Sequence, residues 1–129
     1  IDFSDASFRA LDEALTMVGD PSQVHAIHVL PDLDSELAFM RETFDLEGRE
    51  VRAETAIRER LGEKLLGVQV LVRTGVAGDV IASVAEELGC DLIVIPSHGR
   101  SGISRFFLGS VAERVLRRAT CPVLVLRAK

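Results

Sequence analysis

Several signatures of common protein classes are missing from this chain of 129 residues. Its 15 Lys and Arg are outnumbered by 20 Asp and Glu, so the net charge of -5 offers no positive field to DNA, RNA or anionic lipid. Its apolar runs are far shorter than the roughly twenty residues of a membrane-spanning helix. Because the sequence also shows no basic, apolar leader, we expect a cytoplasmic protein whose partners include neither nucleic acid nor a membrane.

Motifs of the usual nucleotide-dependent enzymes are absent as well. The chain has no Walker A pattern and no G-x-G-x-x-G, which argues against P-loop hydrolysis and dinucleotide redox chemistry. No nucleophile–base pair is visible, which argues against a hydrolase. A receiver domain is set aside because the strand before Gly75 ends in Arg73-Thr74, without an acceptor Asp. We therefore expect a binding or regulatory module rather than a metabolic enzyme.

Cysteine and histidine are sparse and lack the spacing of a metal site. Cys90 and Cys121 form no CxxC and lie just before predicted strands. We interpret them as reduced thiols in or near the core, with a disulfide or redox pair as the alternative. His25 and His28 alternate along one predicted strand, and no acidic or Cys residue has ligand spacing to them. They are expected to pack within the sheet, and no metal site is predicted.

The pattern that remains is that of one globular domain over residues 1–129, with 47% hydrophobic residues. Periodicity and stop signals predict helices over residues 4–18, 50–65, 79–88 and 110–118, and apolar runs predict strands over 24–30, 68–72, 92–95 and 122–126. The acidic segment 31–48 is expected to be a long mobile connection with some helix. This alternation predicts an α/β fold with an open parallel sheet and helices on both faces.

A further strand is expected at the start of the domain. A helix that begins near Ser4 should follow a buried strand, and only Ile1 and Asp2 remain as its end. A sheet without its central strand loses most of its pairing. The first strand is therefore predicted to be truncated at the N-terminus of the given sequence, and the complete sheet is predicted to have five strands.

The most informative segment is a glycine-rich loop between a strand and a helix. Ser97-His98-Gly99-Arg100-Ser101-Gly102 follows the strand that ends at Pro96, and Gly109-Ser110-Val111 opens the next helix. Glycines allow the backbone to approach an anion closely, and free N–H groups at a helix start point toward it. The loop predicts a nucleotide phosphate site. The alternative is that the glycines serve only the turn and the helix start.

Taken together, these motifs resemble those of the universal stress protein family, over nearly the whole chain. Besides the loop, the likeness rests on Asp2-Phe3-Ser4-Asp5-Ala6-Ser7, Ile27-His28-Val29, Cys90-Asp91-Leu92-Ile93-Val94 and Cys121-Pro122-Val123-Leu124-Val125. The resemblance implies a Rossmann-like sandwich of the adenine nucleotide alpha hydrolase type. It also implies a homodimer formed through the last strand, Val123–Leu126, and regulatory protein partners that the sequence does not identify.

The resemblance further implies which residues meet an adenine nucleotide, expected to be ATP. Asp2 is assigned to the ribose or adenine side, with a charge at the helix N-terminus as its alternative role, and the backbone of Val29 is assigned to the adenine pocket. The residues assigned to the ribose and the phosphates follow the predicted strand over residues 92–95 and open the last helix: Ser97, His98, Gly99, Arg100, Gly109, Ser110 and Val111. Mg²⁺ is expected only through the ATP phosphates.

One position departs from the family's ATP motif, which runs Gly, two residues, Gly, nine residues, Gly and then Ser or Thr. Gly99, Gly109 and Ser110 match this motif, whereas Pro96 stands at the first Gly and has no N–H to offer a phosphate. Two functions are therefore carried forward. The first is an ATP-binding stress-response module that acts as a homodimer. The second, which Pro96 favours, is a dimeric interaction protein that binds no nucleotide. A slow ATPase is the weaker alternative.

Overall fold

Helices and parallel strands alternate along the chain in a computed structural model that describes residues 1–32, 46–98 and 108–127. The helices are α1 (Asp5–Thr16), α2 (Leu46–Leu61), α3 (Ala77–Glu87) and α4 (Ser110–Arg118). The strands are β1 (His25–Leu30), β2 (Gln69–Thr74), β3 (Ile93–Pro96) and β4 (Val123–Leu126), and short 3-10 turns cover Pro21–Gln23 and Gly62–Leu65. The α/β class expected from the sequence is confirmed.

Polar residues before α1 determine where this helix begins. Ser4 is the N-cap, since its side chain accepts a hydrogen bond from the Ser7 N–H at 3.2 Å. The Ser4 N–H and hydroxyl both donate to the Asp2 carboxylate, at 3.0 and 2.5 Å. Asp2 therefore supports the helix cap, which is the alternative role that the sequence had left open for it.

The strands pair two by two, and both pairs are parallel. β1 pairs with β2, with Ile27 opposite Leu71, and β3 pairs with β4, with Ile95 opposite Val125. A parallel pair needs a crossover connection, which α2 provides for the first pair and α4 for the second. Helix α3 leads from β2 to β3 and so connects the two pairs.

Each strand pair has its own hydrophobic core. Leu11 of α1 and Ile57 of α2 are buried with Ala26 of β1 and with Val70 and Val72 of β2. Ala85 of α3 and Val115 of α4 are buried against β3. Contacts of α1 with β3 and of α3 with β1 join the two halves of the domain.

The number of strands differs from the expectation of five. The described residues contain four strands, in two sheets of two strands each. Ile1 and Asp2 are not assigned to a strand, because two residues are too few to form a ladder. The Ile1 amino group nevertheless donates to the Ile27 carbonyl at 2.5 Å, as a neighbouring strand would. The truncated first strand stays a prediction.

Other element boundaries differ from the predicted ones by a few residues. Helix α2 begins at Leu46, inside the segment 31–48, and it ends before the 3-10 turn at Gly62–Leu65. Residues 33–45 lie outside the described part, and so does the expectation of a mobile connection there. Cys90 and Cys121 are half-buried free thiols, as expected. None of the helices within the described ranges has both the length and the apolar character that crossing a membrane requires.

Candidate functional site

The backbone turns that follow the strands gather at the carboxyl ends of the two pairs. The Gly75 N–H donates to the Leu30 carbonyl at 2.9 Å beyond β1 and β2. The Ser97 N–H donates to the Leu126 carbonyl at 2.7 Å beyond β3 and β4. In open α/β folds with parallel strands, ligands bind outside these ends. The candidate site therefore lies at these ends.

Gly109 holds the start of α4 against the end of β3. Its N–H donates to the Ser97 carbonyl at 2.7 Å. A Cβ at this position would lie 2.9 Å from the same oxygen and 3.5 Å from the His98 Cα. Packing alone therefore requires glycine here, whether or not a ligand binds. The contact brings together Ser97, His98, Gly109, Ser110 and Val111, five of the residues that the sequence had assigned to ribose and phosphates.

The first turn of α4 has the properties of an anion site. Its N-cap is Gly109, which has no side chain to bond the free N–H groups, and Ser110 and Val111 are both exposed. The positive end of the helix dipole favours an anion by about 0.3–1 kcal/mol per contact. Glu113 also lies in this turn, but Arg117 donates to its carboxylate at 2.7 Å and offsets part of its charge.

His98 contributes a buried ring nitrogen to the site. Its Nδ1 lies 3.1 Å from the Ser97 Oγ, and its Nε2 is buried without a hydrogen-bond partner among the described residues. When the Ser97 hydroxyl donates to Nδ1, the proton of the neutral ring lies on Nε2, which then is a donor. A buried donor left unpaired costs about 1–3 kcal/mol. A phosphate or ribose oxygen at this place would satisfy it.

Asp2 and Val29 lie at the carboxyl end of β1, around a strained turn. Phe3 has a φ of 66°, in the left-handed region that bulky residues rarely adopt. Its ring packs edge-on against His28, with centroids 5.1 Å apart, and the His28 Nδ1 lies 2.6 Å from the Ile1 carbonyl oxygen. Val29 is half-buried in β1. The sequence did not indicate the strained turn at Phe3, because phenylalanine has no preference for a positive φ.

Pro96 lies where its missing N–H does not interrupt the pairing of β3 with β4. The N–H groups of Ile93 and Ser97 donate to β4 and its flanks, at 3.0 and 2.7 Å. In a parallel ladder every second residue faces a given neighbour, so residues 93, 95 and 97 face β4 and Pro96 faces the other side. The N–H group that Pro96 lacks would therefore have pointed away from β4. Gly99 and Arg100 lie outside the described residues.

Comparison with known proteins decides the family. The profile of the Universal stress protein family matches residues 1–127. The chain belongs to the universal stress protein family. Universal stress protein G of Escherichia coli O157:H7, for example, is 34% identical over 128 residues, which are 94% of this chain and 89% of that protein.

Solved structures agree with this assignment. MJ0577 of Methanocaldococcus jannaschii has a TM-score of 0.80 at 27% identity, over 99% of this universal stress protein and 92% of its own chain. A universal stress protein in complex with cAMP has a TM-score of 0.67 at 20% identity, over 100% and 94% of the two chains. These likenesses confirm the Rossmann-like α/β fold. Within the described residues, no group of three or more His, Cys, Asp or Glu is placed to hold a metal ion.

Proposed function

We propose that this universal stress protein binds an adenine nucleotide, ATP in the first place, and acts as a stress-response regulator. The observation that carries the proposal is the first turn of α4, held against β3 by the Gly109–Ser97 hydrogen bond of 2.7 Å. Beside it lies the buried Nε2 of His98, which has no hydrogen-bond partner in the described part of the chain. Backbone donors, a helix dipole and a ring donor together suit a phosphate group.

Each part of the nucleotide is assigned to a different segment. The phosphates are assigned to the start of α4, where the Ser110 hydroxyl and the free N–H groups are donors, and to His98 and Ser97. The ribose and adenine are assigned to Asp2 and the backbone of Val29. Gly99 and Arg100 are assigned to the phosphates by the family motif alone. Mg²⁺ is carried by the phosphate oxygens. The described part of the site holds no group of carboxylates placed for a metal ion.

In this function the protein binds the nucleotide, and binding shifts the populations of its own conformations or dimer states. A ligand that prefers one conformation or one dimer state shifts the protein toward it by its difference in affinity. We assign no residue as a general base. Slow ATP hydrolysis is the only reaction that we propose for this protein. The free thiols of Cys90 and Cys121 suit a reducing compartment, which we propose is the cytoplasm.

Strand β4 is the surface that we propose for the homodimer. β4 pairs with β3 along one edge, and its four residues, Val123–Leu126, are all half-buried. Leu116 on the preceding helix is 46% exposed. An apolar edge strand is normally covered, since its free N–H and C=O groups attract another strand. Pairing with a second copy would cover it.

A second function, dimeric interaction without nucleotide, is supported by two observations. Gly109 is required by packing against the Ser97 carbonyl, so its presence does not demand a ligand. Pro96 offers no donor on the side away from β4. In this case the glycines serve the fold, and the stress function depends on protein contacts alone.

Substitution of Ser110 distinguishes the two functions. Ser110→Asp places a carboxylate at the first position of α4, where it suits the helix dipole but repels a phosphate. We expect the affinity for Mg²⁺–ATP to fall by about tenfold or more, measured by calorimetric titration, while the thermal midpoint without ligand is kept. Ser110→Asn is the matched control, nearly equal in shape but neutral, and should keep most of the affinity.

The thermal midpoint of the wild-type protein with and without ATP is measured first, because it shows whether the nucleotide binds. ATP at about 100 times its dissociation constant should stabilise it by about 2.7 kcal/mol. If neither ATP nor cAMP shifts its thermal midpoint, the nucleotide proposal is wrong and the second function stands. If Ser110→Asp and Ser110→Asn bind Mg²⁺–ATP with equal affinity, the phosphates do not bind at the start of α4.

A further inference from the structure

The turn after α3 fixes the position of Cys90. Gly89 has a φ of 63°, and the N–H groups of Gly89 and Cys90 donate to the carbonyls of Glu86 and Ala85, at 3.1 and 2.9 Å. This is a Schellman motif, in which the residue after the glycine packs back onto the last turn of the helix. Cys90 accordingly packs against the buried cluster that contains Ala85. Its side chain is therefore held beside the start of β3.

Cys121 reaches the same buried cluster from the turn after α4. Pro122 follows it and restricts its backbone to the extended region. Alternate residues of an extended chain share a face, and Val123 and Val125 also pack against this cluster. The Pro122 carbonyl accepts a hydrogen bond from the Ile93 N–H at 3.0 Å. The segment that carries Cys121 is thereby tied to the start of β3.

The pairing of β3 with β4 brings the two cysteines close together. Ile93 lies opposite Val123 in the parallel ladder. When this register is continued back by two residues, Cys121 faces Asp91, the neighbour of Cys90. A strand spacing of about 4.8 Å and one step of about 3.3 Å along the chain give a Cα separation of about 6 Å. Disulfides span Cα separations of about 4.4–6.8 Å.

The surroundings of the two thiols suit slow, reversible oxidation. Burial raises the pKa of the Cys90 thiol, and the nearby charges of Cys121 and Asp91 raise this pKa further. Because the thiolate is the nucleophile, the raised pKa keeps Cys90 reduced until an oxidant is abundant. Both side chains are half-buried, so a small oxidant has access to them. Both residues also precede their strands, so the backbone can adjust to a disulfide without loss of the ladder.

We propose that Cys90 and Cys121 are a redox pair, which peroxide closes to an intramolecular disulfide. Hydrogen peroxide oxidises one thiol to a sulfenic acid and leaves as water. The second thiol then displaces the sulfenic hydroxyl, which leaves as a second water, so two thiols and one peroxide give one disulfide and two waters. Two molecules of a small thiol such as glutathione reopen the pair and leave as their own disulfide. In a reducing compartment, disulfides are usually transient and redox-sensing.

The disulfide ties together the two ends of the segment that carries the candidate phosphate site. The closed loop contains β3, α4 and the contact between Ser97 and Gly109. A crosslink of this kind restricts the unfolded chain, so the oxidised protein stays folded at higher temperature. Oxidation thus stabilises this half of the domain, whether or not a nucleotide binds.

Oxidation of the whole chain tests the proposal. The native protein is treated with a small molar excess of hydrogen peroxide, and the remaining thiols are alkylated in denaturant before mass spectrometry. Wild type should lose both free thiols without a change in mass per particle, and its digest should contain a peptide that joins Cys90 to Cys121. The thermal midpoint should rise by about 5 °C or more and return to its starting value after dithiothreitol.

Cys90→Ser and Cys121→Ser are the matched controls, since each keeps one thiol and changes a single atom at the other position. Peroxide should raise the thermal midpoint of neither variant. The proposal is overturned if both wild-type thiols remain open to alkylation or if the disulfide joins two copies of the chain. It is also overturned if the disulfide forms no faster in the native protein than in urea, or if it forms without raising the midpoint. Either result would mean that the fold does not place the two cysteines for pairing.

Discussion

At the scale of single residues, the close approach at Gly109 determines what this position tolerates. In Gly109→Ala the new Cβ would lie 2.9 Å from the Ser97 carbonyl oxygen, so the start of α4 must move away from β3. We expect the free energy of unfolding to fall by about 1–3 kcal/mol in urea denaturation. Larger substitutions here would disturb folding as well as binding, which is why Ser110 is the better position for testing nucleotide binding.

Gly19→Ala is the control for this prediction. A Cβ at Gly19 meets nothing within 4 Å, so its effect should stay within about 0.5 kcal/mol. Equal losses in the two variants would show that the Ser97–Gly109 contact does not constrain the fold. The site would then lack the fixed arrangement of β3 and α4 on which the phosphate assignment rests.

At the scale of elements, α3 and α4 are joined by a close contact and an ion pair. A Cβ on Gly78 would lie 2.6 Å from the Arg114 Cβ, so only glycine allows the two helices to come this close. On the surface, the Arg114 Nε donates to Asp79 at 2.8 Å, and Arg118 lies 3.4 Å from the same oxygen. Glycine and ion pair together fix the position of α4, and with it the candidate phosphate site.

The ion pair predicts a pH dependence. The hydrogen bond from Arg114, together with the charges of Arg114 and Arg118, holds the pKa of Asp79 below its ordinary value. Because the folded-state pKa is the lower one, the stabilisation is present above the unfolded-state pKa and is lost as the pH falls through the folded-state pKa. Asp79→Asn should therefore be less stable than wild type at pH 7, and the difference should vanish in strong acid.

Denaturant unfolding at a series of pH values checks this. Glu54→Gln, which removes a pair with Arg58 inside α2, is the control and should have little effect on stability, since exposed pairs within one helix contribute little. A difference between Asp79→Asn and wild type that stays constant with pH would contradict the prediction. It would mean that packing of the new amide, rather than the charge, explains the effect.

At the scale of the whole molecule, the proposed dimer depends on β4. Val123 and Val125 pack against the core beside β3, whereas Leu124 is half-buried outside that cluster. Leu124→Lys should leave the core intact and place a charge on the covered surface, which favours the monomer. Light scattering after size exclusion should show a dimer for wild type and a monomer for the variant.

Leu88→Lys is the control, because Leu88 is 41% exposed at the C-cap of α3 and is not part of the strand proposed to pair. It should remain a dimer. A monomeric wild type, or a dimer that survives Leu124→Lys and is lost in Leu88→Lys, would place the homodimer elsewhere or exclude it.

Local chemistry explains which parts of the fold were predictable. Helix α4 was predicted over residues 110–118 and is observed as Ser110–Arg118, since glycine before it and arginines at its end mark both limits. Helix α2 begins earlier than predicted, at Leu46, because the acidic residues before it give no clear start signal. Of the candidate site, glycine spacing indicated Gly109 and Ser110, but the strained turn at Phe3 has no local signal.

The sequence by itself determined the α/β alternation, the family and the candidate phosphate loop, since periodicity, caps and glycine spacing act over a few neighbouring residues. Only the tertiary structure decided which strands pair, how closely Gly109 approaches Ser97, and that the Nε2 of His98 is buried with no partner among residues 1–32, 46–98 and 108–127. It also revealed a cavity of about 440 Å³ lined by β1 and β3. These features depend on contacts between residues far apart in the chain, and no local pattern encodes such distances.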